Sequence, residues 1–172
     1  MDMTSVMEMA LKSGALEQVS GMLGVDEKTA ETAIETVMPM LLKGMQGQMS
    51  NKETQPGFLK ALMDHSADDT DDLRKAVKNV DMEDGAKIVN HLLGGAQQEE
   101  VAAKAKKKSG LDKKTILKLM AILAPILMSK MGKTAKKETA KSSSGDKMSV
   151  VGGLLDGVDA KDVVNILGML MK

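Results

Sequence analysis

The chain has 172 residues, is 42% apolar, carries no formal net charge and contains no cysteine. That length sustains one domain with a core of its own, and the absence of thiols excludes disulfides, thiolate metal sites and thiol catalysis; a cysteine-free chain fits the cytoplasm. Phe58 is the single aromatic residue and 17 methionines take the place of others, which suits helices packed through adaptable thioethers better than strands.

From the N-terminus, "MDMTSVMEMA" carries Asp2 and Glu8 with no basic region ahead of an apolar run, so no signal peptide is expected. Helices are expected over 4–12 and 15–23, interrupted near Gly14. Asp26 is a good N-cap for the next helix, 26–45. Its Ala30, Ala33, Ile34, Val37, Met38, Leu41 and Met45 recur at three- and four-residue steps and mark one buried stripe. Pro56 opens a short helix through Phe58, Leu59, Leu62 and Met63, and another is expected over 71–78. Asp81 caps a helix that should run to Leu93 and stop at Gly94-Gly95. Glu99, Glu100 and Lys106 to Lys108 lie at opposite ends of the following helix, in the order that complements its dipole, before Ser109-Gly110 ends it.

Asp112 opens a helix that is apolar nearly all round from Leu119 to Met128. That uncharged run falls far short of the roughly 20 residues that span a bilayer, so no transmembrane segment is expected. Leu119, Met120, Ile122, Leu123, Ile126 and Leu127 belong to the core or to a seam between two copies. Residues 132–147, "GKTAKKETAKSSSGDK", show no apolar periodicity and read as a flexible, solvated Lys/Ser-rich linker. Two closing helices are expected over 148–156 and 160–171.

Shifted by 86 positions, the chain meets itself. "GVDEKTAETAIETVMPMLLKGM" (24–45) lies without a gap over "GLDKKTILKLMAILAPILMSKM" (110–131), matching Gly24 to Gly110, Asp26 to Asp112, Thr29 to Thr115 and Pro39 to Pro125. "DGAKIVNHLL" (84–93) resembles "DAKDVVNILG" (159–168) at an offset of 75, and "FLKALMD" (58–64) loosely resembles "VGGLLDG" (151–157). The expected fold is therefore all-α: one domain, 1–172, of two homologous halves, about 12–95 and about 97–172. A pseudo-twofold duplication relates them, with helices 26–45 and 112–131 at the centre. Two copies of so long a period do not make a solenoid. Pro39 and Pro125 each remove an intrahelical bond, to the carbonyls of Glu35 and Ala121, and kink the helix. Their repetition marks them as architectural; the functional alternative is a hinge or a ligand-binding kink.

These segments, with "DGAKIVNHLLGG" and "KSGLDKKTILKLMAILAPILMSKMG", resemble the YidB-like bacterial family, a domain of unknown function, over about residues 16 to 131. The resemblance implies an all-helical bacterial protein with no assigned activity, and it carries over no catalytic residues. Methionine where the family uses leucine, and the lysine-heavy third quarter, depart from that pattern.

Charge is segregated. Residues 1–100 hold 9 basic and 18 acidic side chains, whereas 101–150 hold 13 lysines against three acids. Lys104, Lys106, Lys107, Lys108, Lys113 and Lys114 are the candidate anion- or partner-binding residues. They serve as a solvated face, as the complement of the acidic "DHSADDTDD" (64–72), or as a contact to nucleic acid or an anionic membrane. With no arginine and no aromatic residue among them, base-specific readout is not expected. His65 and His91 are the only histidines. His65 has acidic neighbours, but neither histidine has a second ligand at metal spacing, so no metal or cofactor is assigned. His91 is assigned a structural role, near a helix end whose carbonyls its ring suits. "DHSADDTDD" and "DMEDG" lack the alternation, glycine and terminal glutamate of a calcium loop. The glycine pairs lack the lysine and preceding strand of a phosphate loop, and no nucleophile elbow appears. The expected function is non-enzymatic: a helical interaction or scaffold protein that associates with another protein or itself. The alternative is a peripheral binder of anionic polymer or membrane through 104–141.

Overall fold

The computed structural model describes residues 14–68 and 70–141; the helices expected over 4–12, 148–156 and 160–171 lie outside them. The described residues form helices joined by short loops and carry no strand. The helices are α1 (Ala15–Leu23), α2 (Glu27–Ser50), α3 (Gln55–His65), α4 (Leu73–Lys78), α5 (Met82–Ser109) and α6 (Lys113–Lys141).

Local chemistry sets most of these boundaries. Gly24 ends α1 in the left-handed region, φ 70°, where a side chain would be strained. Two residues on, Asp26 caps α2: one carboxylate oxygen accepts the Thr29 N–H at 2.9 Å, and the Thr29 hydroxyl donates to the other at 2.6 Å. The same arrangement opens α6. Gly110 sits at φ 75°, and Asp112 accepts the Thr115 N–H at 2.9 Å. Side-chain and then backbone hydrogen bonds from these threonines hold both aspartates below the ordinary carboxylate range. Asp72 and Asp81 cap α4 and α5 by the same means.

The core is continuous across all six helices. Ile34, Met38, Leu41, Leu42 and Met45 of α2 and Leu62 of α3 meet Ile116, Leu119, Met120, Ile122 and Met128 of α6, all but completely buried. Leu123 and Leu127 are buried as well, and Ile126 is partly buried. This apolar stretch is therefore the interior of one chain, not a seam between two. By length and composition Lys113–Lys137 is long and apolar enough to cross a membrane, yet most of it is buried against the other helices, as in a central core helix. The expected central pair, 26–45 and 112–131, needs adjusting: α2 and α6 meet only along a short seam, and α5 makes the broadest contact with each.

Two expectations change in detail. The linker expected from residue 132 is helical as far as Lys141, and Gly132 and Ala135 within it are buried. Small contact residues carry no apolar periodicity, so the composition read as linker. The helix expected to stop at Gly94-Gly95 breaks at Gly94 (φ 65°, ψ 171°) and resumes at once, which gives α5 two arms.

Close approaches join the arms to the rest. Pro125 deprives the Ala121 carbonyl of its intrahelical donor, and the Gly85 Cα lies against that carbonyl so closely that a Cβ would overlap its oxygen. Gly132 meets the Leu62 carbonyl of α3 in the same way. Gly44 brings α2 onto Leu92 and Leu93, where a Cβ would lie 2.7 Å from a Leu93 methyl. Gly47, on the outer face of α2, has nothing within 4 Å of a Cβ. Gly85→Ala is therefore expected to cost about 1–3 kcal/mol through overpacking, and Gly47→Ala to add about 0.5–1 kcal/mol through helix propensity. Urea denaturation of the two variants measures both, and opposite signs are the expected outcome.

Candidate interaction groove

On the face of α2 turned away from the core, Glu35, Thr36, Pro39, Met40, Lys43 and Gly47 form a stripe at helical spacing. The second arm of α5 runs antiparallel beside it, with Gln97, Glu100, Lys104, Lys107 and Lys108. The two enclose a groove of about 1170 Å³ that is floored in part by Leu42, Leu92, Leu93 and Val101. The break at Gly94 sets its end. The His91 carbonyl, at the end of the first arm of α5, accepts a hydrogen bond from Gln48 Nε2 at 2.7 Å, which ties α2 to α5 there.

The walls are charged and mostly basic. Lys104 Nζ lies 2.8 Å from Glu100 Oε1, and that hydrogen bond, with the Lys104 charge and then Lys43, holds the Glu100 carboxyl below its usual range. Glu35 goes the other way. Burial pushes its carboxyl up and the Glu31 charge adds to this, while Lys108 opposes both. Lys43, Lys104, Lys107 and Lys108 thus stand around two carboxylates in a half-open groove whose floor is apolar.

Six lysines read as one candidate patch divide three ways. Lys104, Lys107 and Lys108 line the groove. Lys106 and Lys114 act on Asp112 at the start of α6. Lys113 pairs with Glu99 on α5. The acidic loop, one of the complements considered for these lysines, meets Lys133 of α6 within the chain: Lys133 Nζ lies 3.2 Å from Asp71 Oδ1. With Lys130 and Lys137 nearby, Lys133 keeps the Asp71 carboxyl below its ordinary range. Lys118 donates to the Met22 carbonyl at 2.6 Å, holding the end of α1. The six candidate lysines thus divide between the groove and local contacts elsewhere.

The remaining candidates find places as well. Pro39 lines the groove, as does His91, whose tie to α2 runs through its main-chain carbonyl rather than through its ring. His65 joins the end of α3 to the loop after it and to the start of α5, with Nδ1 2.7 Å from Asp68 Oδ2 and Nε2 3.6 Å from Asp84 Oδ2. Among the described residues no group of three or more histidine or acidic side chains is placed to hold a metal ion. Sequence reasoning missed Glu35, Thr36, Met40, Lys43 and Gln48 as groove residues. Their helical spacing on the polar side of α2 was visible; the neighbour that turns that side into a wall was not.

An all-helical domain with a basic, apolar-floored groove is the class that fold and site define. The family model described as "Bacterial protein of unknown function (DUF937)" matches residues 5–134, and the chain belongs to that family. No curated protein and no solved structure matches it.

The raised Glu35 carboxyl fixes the sign of a pH effect. A folded-state pKa above the unfolded one contributes stability below the unfolded value and loses it as pH rises through the folded value. Glu35→Gln is therefore expected to stabilise at pH 7 by less than about 1 kcal/mol, given solvent screening of a half-buried group. That gain should vanish near pH 3.5, where carboxylates are largely protonated (roughly one unit below the ordinary glutamate value). Thermal melts of variant and parent at the two pH values read the difference.

Proposed function

We propose that this protein is a non-enzymatic helical interaction module of the cytoplasm that self-associates through the α2–α5 groove. One observation carries the reading: the long apolar run Leu119 to Met128 of α6 is consumed inside the monomer, whereas the groove is a half-open surface that combines an apolar floor with a charged rim. A floor of that kind supplies binding energy and the rim supplies register and partner choice. The repeated Gly-x-Asp-x-x-Thr openings of α2 and α6, and a proline at the same position of each, support an internal duplication with proline-bent central helices. In that architecture the two copies have diverged, one becoming a core helix and the other a groove wall.

A second reading keeps one specific support. Lys43, Lys104, Lys107 and Lys108 converge on the groove, so an anionic polymer or membrane surface would meet four cations there. Such binding is sequence-blind and steeply salt-dependent.

Sedimentation equilibrium of the full chain tests the first reading. Self-association should weaken about tenfold in Lys107→Glu/Lys108→Glu at ~50 mM salt, equivalent to ~1.4 kcal/mol; a strict monomer at the highest attainable concentration overturns it. Heparin and anionic-vesicle binding at the same salt, lost in that variant, would establish the second reading instead.

A further inference from the structure

The duplication makes the two central helices comparable position by position, and they differ in what covers them. On α6, three positions are covered by the segment that follows α2 in the first half. Ala121 lies under Gly85. Ser129 meets Thr70 at 3.0 Å and the Asp68 carbonyl at 3.4 Å. Gly132 lies under the Leu62 carbonyl. All three are buried. Moved back by 86 positions, they become Glu35, Lys43 and Gln46 of α2. Each of these lines the groove; Lys43 is exposed and the other two are half-buried. The face of α6 that residues 62–85 cover is thus the face that α2 turns toward the groove.

The geometry points to residues 151–168 of the same chain as the occupant of this groove. This deepens the self-association reading, because the segment that occupies one molecule's groove is what a second copy would exchange. The sequence echoes supply the register. Leu62 corresponds to Leu155 and Gly85 to Ala160, which directs Leu155 toward Gln46 and Ala160 toward Glu35; the Cβ atoms of Gln46 and Ala160 keep these contacts wider than their counterparts at Gly132 and Ala121. Pro39 removes the donor to the Glu35 carbonyl, as Pro125 does at Ala121. Charge agrees. The covered residues of α6 are uncharged, whereas the groove is rimmed by Lys43, Lys104, Lys107 and Lys108, and the C-terminal segment brings Asp156, Asp159 and Asp162 against the single Lys161. The 17 residues between Lys141 and Asp159 span up to ~56 Å fully extended and about 40 Å with a helix over 148–156, against the roughly 43 Å length of α6 that they would have to retrace.

A zero-length carbodiimide cross-link on the full chain tests the proposal, because it joins a carboxylate to an amine only in direct contact. Mass spectrometry should find Asp156, Asp159 or Asp162 joined to Lys43, Lys104, Lys107 or Lys108 in the monomer band. In Asp159→Lys/Asp162→Lys those links should fall at least several-fold. Coupling now runs between groove carboxylates and the new lysines when Lys107→Asp/Lys108→Asp is added. An equimolar mixture of ¹⁴N and ¹⁵N chains identifies the source: links within one isotope support the proposal, and links only between isotopes overturn it in favour of a second copy's segment. Links from these aspartates to other lysines alone, or to none, overturn it outright. Sedimentation of Lys107→Glu/Lys108→Glu judges the groove reading separately, so the two failures are distinguishable.

Discussion

The architecture depends on how closely the first arm of α5 approaches α6. Pro125 leaves the Ala121 carbonyl without its helical N–H, and the bare Cα of Gly85 settles against that oxygen. Main chain meeting main chain at such a distance is available only where no Cβ intervenes, and weak Cα–H···O contacts recur at helix crossings of this kind. The approach brings Val89, Leu92 and Leu93 into the core beside α2 and α6. Gly132 against Leu62 repeats the device on α3. Backbone proximity thus does for this molecule what large aromatic side chains do in many cores, and flexible methionines fill the spaces left over.

The closeness of those contacts has a consequence for the groove. Because Gly94 breaks α5, its two arms serve different ends. The first is buried against α6, and the second runs along α2 without burying the polar stripe of that helix. The bond from Gln48 to the His91 carbonyl marks the hinge line between the arms. The exposed lysines and the half-buried Glu35 sit on the side that tight packing left open, where charge is tolerated because water still reaches it.

Electrostatics in this chain is largely local despite the segregation of charge along the sequence. The acidic loop after α3 finds Lys133 on α6, Glu99 and Glu100 find Lys113 and Lys104, and Asp26 and Asp112 cap helices. Pairs this exposed contribute little stability one by one. Their use is to fix which helix faces settle together and to leave the groove with an excess of cations.

How much of this was legible in the sequence follows from the range of each interaction. Helix starts at Asp26, Asp81 and Asp112 and stops at Gly24 and Gly110 are read from a few neighbouring residues, because capping bonds span three positions. The core stripe of α2 and the buried run of α6 follow from periodicity, because one face of a helix has to leave water. Membership of an all-helical bacterial family was legible in the order of these segments. The helical continuation past residue 132 was not: Gly132 and Ala135 are contact residues only because Leu62 and its neighbours come to meet them. Nor was the groove, since Lys104 lies far from Glu35 and Lys43 in the chain and becomes their neighbour only when α5 breaks at Gly94 and folds its second arm along α2. Sequence alone determined the helices and the faces they bury, since those are properties of one segment in water. Tertiary structure alone decided which polar face became a wall, because that depends on where a distant backbone could approach.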